Sequence, residues 1–243
     1  MKSAHPVLLC SFLACACLDL QAQTLKGIFG SRVNDGSEAV EYRFGYTDDR
    51  GNGVGAFAQR LHYQRAVSDQ LQMRGVIFHR KLHGENFDFQ AFRFEALYQF
   101  IEDGGNSFES AARLDLQIAD GDNSPGFIRL GWATQFDVTD KVRFRTNVLS
   151  GTEIGSGRDG DVTGDVRWQA DYQATDDLNL GLELYSSLGA LDDLGSFDSQ
   201  NHLLGAYVRG SLGQKYKWRV QCLGGLSDRA IDRQWRVFLS RSL

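Results

Sequence analysis

The stretch Phe127–Val138, FIRLGWATQFDV, alternates between two unlike faces. Ile128, Leu130, Trp132, Thr134, Phe136 and Val138 form one. Phe127, Arg129, Gly131, Ala133, Gln135 and Asp137 form the other. Successive side chains of a strand point to opposite sides, whereas a helix would scatter these apolar residues around its circumference. The pattern recurs. Leu178, Leu180, Leu182 and Leu184 alternate with Asn179, Gly181, Glu183 and Tyr185. Val166, Trp168, Ala170 and Tyr172 alternate with Asp165, Arg167, Gln169 and Asp171.

Working outward, three short segments share one form: Val67–Leu71 (VSDQL), Val138–Val142 (VTDKV) and Ala174–Leu178 (ATDDL). Ser/Thr-Asp suits a tight turn, because these side chains hydrogen-bond the local backbone. Between them run longer connections rich in Gly, Asp, Asn and Ser: Thr47 to Gly53, Asp120 to Gly126, Ser150 to Asp161, and Ser186 to Asn201. Strands fitted between the two kinds of connection fall at 39–47, 54–66, 71–81, 87–101, 108–119, 127–138, 142–150, 162–174, 178–187, 202–212, 217–226 and 233–242. An even number of strands, short turns at one end and longer loops at the other predict an all-β fold. It is a closed antiparallel up-and-down transmembrane β-barrel of about twelve strands.

Composition agrees. The 243 residues hold 2 prolines, 27 glycines and 12% aromatics, with 42% hydrophobic residues. No apolar run reaches the roughly 18 residues that a membrane helix needs, and a chain that enters a membrane without one must do so as a closed barrel. A net charge of -5 argues against a nucleic-acid partner, which would require a basic patch or stripe. Residues 1–22 read as a secretory signal: Lys2, an apolar run from Val7 to Leu18, and Ala22 at the cleavage position. Cys10, Cys15 and Cys17 leave with it, so Cys222 alone remains, and neither an internal disulfide nor a Cys-based zinc site is available. Cys222 falls at an apolar-face position as a small hydrophobe. Segment 23–38 alternates poorly and is left as a lead-in, an extra half-strand or a short plug before a barrel over 39–243.

The final strand places Trp235, Val237, Leu239, Arg241 and Leu243 at every second position from the end. This resembles the C-terminal strand signature of Gram-negative outer-membrane proteins. The resemblance implies residence in the outer membrane, surrounded by its lipid. It also implies recognition of Trp235, Val237, Leu239 and Leu243 by a barrel assembly machinery. Two departures are Leu243, where that family usually ends on Phe, and Arg241 at a place normally apolar or aromatic.

Arg or Lys facing lipid at the bilayer midplane costs roughly 2–4 kcal/mol, so the charged face points inward. Its bases are Arg43, Arg60, Arg74, Arg93, Arg113, Arg129, Arg143, Arg145, Arg167, Arg209, Arg219 and Arg236. Its acids are Glu41, Glu95, Glu109, Asp115, Asp137, Asp165, Asp171 and Glu183. As pore-lining candidates we single out Arg43, Arg60, Arg93, Glu95, Arg113, Asp115, Arg129, Arg143, Arg145, Arg167, Glu183 and Arg219. A planar guanidinium fork suits carboxylates and phosphates. The expected function is therefore passive diffusion of small hydrophilic solutes, anionic ones among them. In length and in its Arg-rich inner face the chain resembles the small twelve-strand porins for acidic sugars, such as the oligogalacturonate- and sialic-acid-specific channels. The alternatives are a closed barrel, in which Arg93 with Glu95, Arg113 with Asp115 and Arg167 with Asp165 pair locally, an adhesive barrel, and an outer-membrane hydrolase.

A hydrolase needs a nucleophile with a base nearby. His62 is expected in the lumen. His79, His83 and His202 are expected at the outer rim, where Ser186, Ser187, Ser199 and Asp198 lie close to His202 in sequence. No Ser-His or Asp-His motif is present, so no catalytic residue is assigned. The glycines of Gly151 to Gly164 follow no phosphate-binding fingerprint. Asp159, Asp161 and Asp165 lack the EF-hand spacing. No cofactor or metal is expected.

Overall fold

The computed structural model describes residues 25–48, 55–82, 85–102, 108–121 and 124–243. The signal segment expected at 1–22 and His83 lie outside them. Twelve strands follow one another: β1 (Glu38–Asp48), β2 (Ala56–Ala66), β3 (Leu71–Leu82), β4 (Asp88–Ile101), β5 (Phe108–Ala119) and β6 (Gly126–Thr139). Then come β7 (Val142–Ile154), β8 (Val162–Gln173), β9 (Leu178–Ala190), β10 (Asn201–Leu212), β11 (Tyr216–Gly225) and β12 (Arg233–Ser242). Each pairs antiparallel with its neighbours in sequence, and β12 returns to β1 from Ala39 opposite Ser242 to Asp48 opposite Arg233. Closure removes the sheet edges, so the strand backbone finds its partners within the wall.

β5 and β12 have the bounds expected from the sequence. β7 and β9 run farther, to Ile154 and Ala190, and correct the expected ends at 150 and 187. Thr152 pairs with Val162, and Thr163 with Ala190. These polar and glycine-rich residues read as loop because their composition changes where an apolar belt would end. Backbone pairing needs no apolar side chain and continues beyond it.

The outward face is apolar. Leu130 is 66% exposed and Trp132 52%, in a belt that includes Leu116, Trp168, Leu182 and Leu239. In water such a belt would be an unsatisfied hydrophobic surface; around a closed barrel it is the lipid contact. Aromatic rings concentrate toward the short-turn end, with Tyr63, Tyr98, Tyr172 and Tyr216 exposed and Phe136 stacked on Phe144 at 5.5 Å. Arg241 lies at this rim, its guanidinium 5.7 Å from the Tyr216 ring centroid. A charge at the membrane interface costs little, which accounts for Arg241 following Trp235, Val237 and Leu239 on the outward face of β12. Cys222 faces outward between Ala206 and Trp235.

The Ser/Thr-Asp segments form the short turns as expected. Ser68 Oγ accepts from the amides of Gln70 (3.3 Å) and Leu71 (3.1 Å), and Thr139 Oγ1 from those of Lys141 (3.3 Å) and Val142 (3.1 Å). The third turn closes through its backbone, Ala174 and Thr175 both donating to the Leu178 carbonyl.

If the outward belt meets hydrocarbon, Leu130→Arg in the middle of β6 should lower folding stability in lipid vesicles by about 2–4 kcal/mol. Denaturant unfolding followed by tryptophan fluorescence measures this. A loss within error of zero would remove the belt from the membrane.

Candidate functional site

The inward side chains form a chain of alternating charge around half of the wall. Arg74 on β3 donates to Glu95 on β4 (3.2 Å). Arg113 on β5 bridges Glu95 (2.6 Å) and Asp115 (2.5 Å). Arg129 on β6 links Asp115 (2.6 Å) to Asp165 on β8 (3.3 Å), which also takes Arg167 (3.1 Å). Register explains the order, since Glu95 lies opposite Asp115 and Asp115 opposite Arg129. Of the pairs expected two residues apart, Arg113–Asp115 and Arg167–Asp165 are tight, while Arg93 stands 3.6 Å from Glu95 and donates instead to Gln117 at 2.7 Å.

Two further carboxylates organise the opposite wall. Glu183 accepts from Tyr185 (2.6 Å), Gln169 (2.5 Å), Gln221 and Arg219. Asp171 accepts from Tyr207 (2.5 Å), Arg209 (2.5 Å) and Asn179 (3.1 Å). Tyr207 reaches across β9 because Gly181 lies opposite it; a Cβ there would stand 2.2 Å from the ring. Guanidinium and phenyl groups also stack in sequence around the lumen. Arg60 and Arg93 flank Phe78 at 4.3 and 4.6 Å, and Arg93 and Arg129 flank Phe127 at 4.8 and 5.2 Å.

The lumen is not empty. Leu25–Val33 runs inside it with no strand pairing of its own. Val33 packs near the short-turn end with Ala66 and Leu97; Ile28 meets Leu203, Leu223 and Ile231 toward the other end. The Leu25 carbonyl accepts from Arg60 (3.0 Å) and Arg43 (3.3 Å), that of Lys26 from Arg236 (2.7 Å), and that of Gly27 from Arg167 (2.9 Å). Asn147 takes both the amide and the carbonyl of Phe29 at 3.0 Å. Gln99 accepts from the Val33 amide at 2.7 Å. The Lys26 ammonium lies 2.9 Å from Asp165.

Beside this strap remains a cavity of about 1500 Å³. Its lining runs from Asp192, Asp193 and Arg229 in the longer loops to Gln72, Lys217 and Ser240 toward the short turns. Arg43, Arg60, Arg93, Glu95, Arg113, Arg129, Arg143, Arg145, Arg167 and Arg219 border it. Asp115 and Glu183 lie behind them, buried under the arginines they bind. Arg145 donates only to glutamines, Gln135 (2.7 Å) and Gln169 (2.8 Å), and has no carboxylate within ion-pair distance among the described residues. From the sequence, a short plug is one of three readings for 23–38, without the lumen contacts of 25–33; Gln135 and Gln169 fall on the polar face with no role assigned, and Gln99 and Asn147 are not singled out. Their inward parity was the available signal.

At the long-loop rim, Ser186 Oγ and His202 Nδ1 are 3.0 Å apart, and Phe197 stacks on the imidazole at 4.2 Å. Nε2 is buried without a hydrogen-bond partner, so no acid orients the ring. His62 borders the cavity, both ring nitrogens likewise without a partner.

The charge chain should be stabilising as a unit. Asp115→Asn should cost about 3 kcal/mol, the low end for breaking a buried pair, because Glu95 and Asp165 still reach Arg113 and Arg129. Asp137→Asn, which loosens the partly exposed pair with Arg143, should cost under about 1 kcal/mol. Unfolding midpoints in vesicles check both, and equal costs would contradict the ranking.

The sequence matches no protein-family model and no curated protein. Solved structures with a similar fold include outer-membrane channels. The COG4313 outer membrane channel from Pseudomonas putida F1 superposes with a TM-score of 0.70 at 12% identity, covering 90% of this chain and 100% of that one. The KdgM porin in complex with disordered oligogalacturonate gives 0.63 at 13% identity, over 84% and 99%. The NanC porin gives 0.61 at 11% identity, over 84% and 100%. The shared feature is the barrel: this chain is a closed twelve-strand barrel, similar in fold to outer-membrane porins and channels.

Proposed function

We propose that this barrel lies in an outer membrane and passes small hydrophilic solutes by diffusion, with a preference for anions. The observation that carries this is the cavity lined from one mouth toward the other with more guanidinium than carboxylate. A narrow, low-dielectric lumen magnifies such a surplus relative to exposed charges. The acids at the long-loop mouth, Asp159, Asp161, Asp192 and Asp193, are solvent-exposed, where salt screens them within about 10 Å. Arg145, held by neutral amides, offers its charge to a passing solute. Arginines already engaged by carboxylates bind more weakly, and conduction requires sites weak enough to release. A polycarboxylate such as the oligogalacturonate in the KdgM complex suits this chemistry. The outward residues Trp235, Val237, Leu239 and Leu243 are the surface we assign to the barrel assembly machinery.

Purified protein in a planar bilayer tests the proposal. Under a KCl gradient the reversal potential should report anion preference, and Arg93→Gln with Arg145→Gln should reduce the anion-to-cation permeability ratio several-fold. Absence of single-channel conductance would end the channel reading. Unchanged selectivity in the double variant would end the part assigned to arginine.

A further inference from the structure

We propose that Leu25–Val33 is a resident strap that occupies the lumen's own anion sites, and that solutes bearing several carboxylates displace it. The proposal rests on the channel reading above and adds its regulation. Three consecutive carbonyl oxygens, those of Leu25, Lys26 and Gly27, sit on guanidinium groups of Arg60, Arg236 and Arg167. The three carbonyls present partial negative charge to three different strands of the wall, β2, β12 and β8. Successive acceptors on a polyacid meet such arginines in the same way. The strap has no helix or strand ladder, so its backbone relies on lumen side chains. A guanidinium bond to a neutral carbonyl is weaker than one to a carboxylate. Contact for contact, an arriving polycarboxylate therefore outcompetes the strap at these arginines.

Two features make displacement feasible. The strap's apolar side chains Leu25, Ile28, Phe29 and Val33 are divided among three separate clusters along the lumen, so no single apolar core holds the segment. Its central hold is the pair of 3.0 Å bonds between Asn147 and the amide and carbonyl of Phe29. Asn147→Ala therefore loosens the strap without removing any lumen arginine. Ser31 on the strap is fully buried and reports its release.

The experiment uses the full chain with two readouts. In planar bilayers Asn147→Ala should conduct at least about twofold more than the unaltered protein, as expected when a blocked population is released. In liposomes, Ser31→Cys in a background with Cys10, Cys15, Cys17 and Cys222 replaced by Ser should react slowly with an impermeant maleimide. Millimolar citrate should accelerate the reaction about tenfold or more, by binding only the strap-released state. A neutral trisaccharide should leave it slow. Labelling that ignores citrate, or that the neutral sugar accelerates equally, overturns the proposal. If neither protein conducts, the channel reading fails. Citrate-dependent labelling then still decides whether the strap is displaced by carboxylates.

Discussion

The hydrocarbon surrounding a closed barrel accepts no charge near its midplane, and from this one exclusion the interior of the molecule follows. Every strand sends one face outward, so half of each strand must be apolar, and the charged half has nowhere to go but the lumen. There the arginines meet one another at close range, in a space from which much water has been removed. They are stable only where carboxylates, amides, carbonyls or aromatic faces compensate them. The Arg74–Glu95–Arg113–Asp115–Arg129–Asp165 chain and the cluster around Glu183 are two such solutions. The stacked rings of Phe78 and Phe127 are a third.

Barrel size sets the second problem. Eight strands enclose an interior that side chains fill, and a wider barrel leaves space. Small inward residues such as Ala66, Ala111 and Ala133 widen the lumen on one side. The strap lays Phe29 and Val33 against them, so the segment that fails to pair as strand becomes the lumen's internal packing.

How much of this was readable in the sequence depended on whether a periodicity expressed it. The alternation of Phe127–Val138 specified the wall and its two faces, and Ser68 and Thr139 fixed the turns. The inward parity of Arg113 and Asp115 was enough to place them side by side. Partners across strands, such as Arg113 with Glu95, required the register. Where β7 and β9 pass beyond the apolar belt, composition changed before pairing stopped. The strap was the least legible element. Its place is set by Asn147, Gln99, Arg167 and Arg236, which are distant in sequence and act on its backbone. A contact made to carbonyl and amide groups leaves almost no signature in the residues that receive it.

The connection between strap and wall is short: four residues, Asn34–Ser37, separate Val33 from the start of β1. The strap is thus an intramolecular ligand, with an effective concentration on the order of millimolar or higher. A free peptide of the same sequence would need that concentration to fill the lumen as completely. Modest intrinsic affinity is therefore sufficient to hold the segment in place, and the tether's length sets the solute concentration at which it yields.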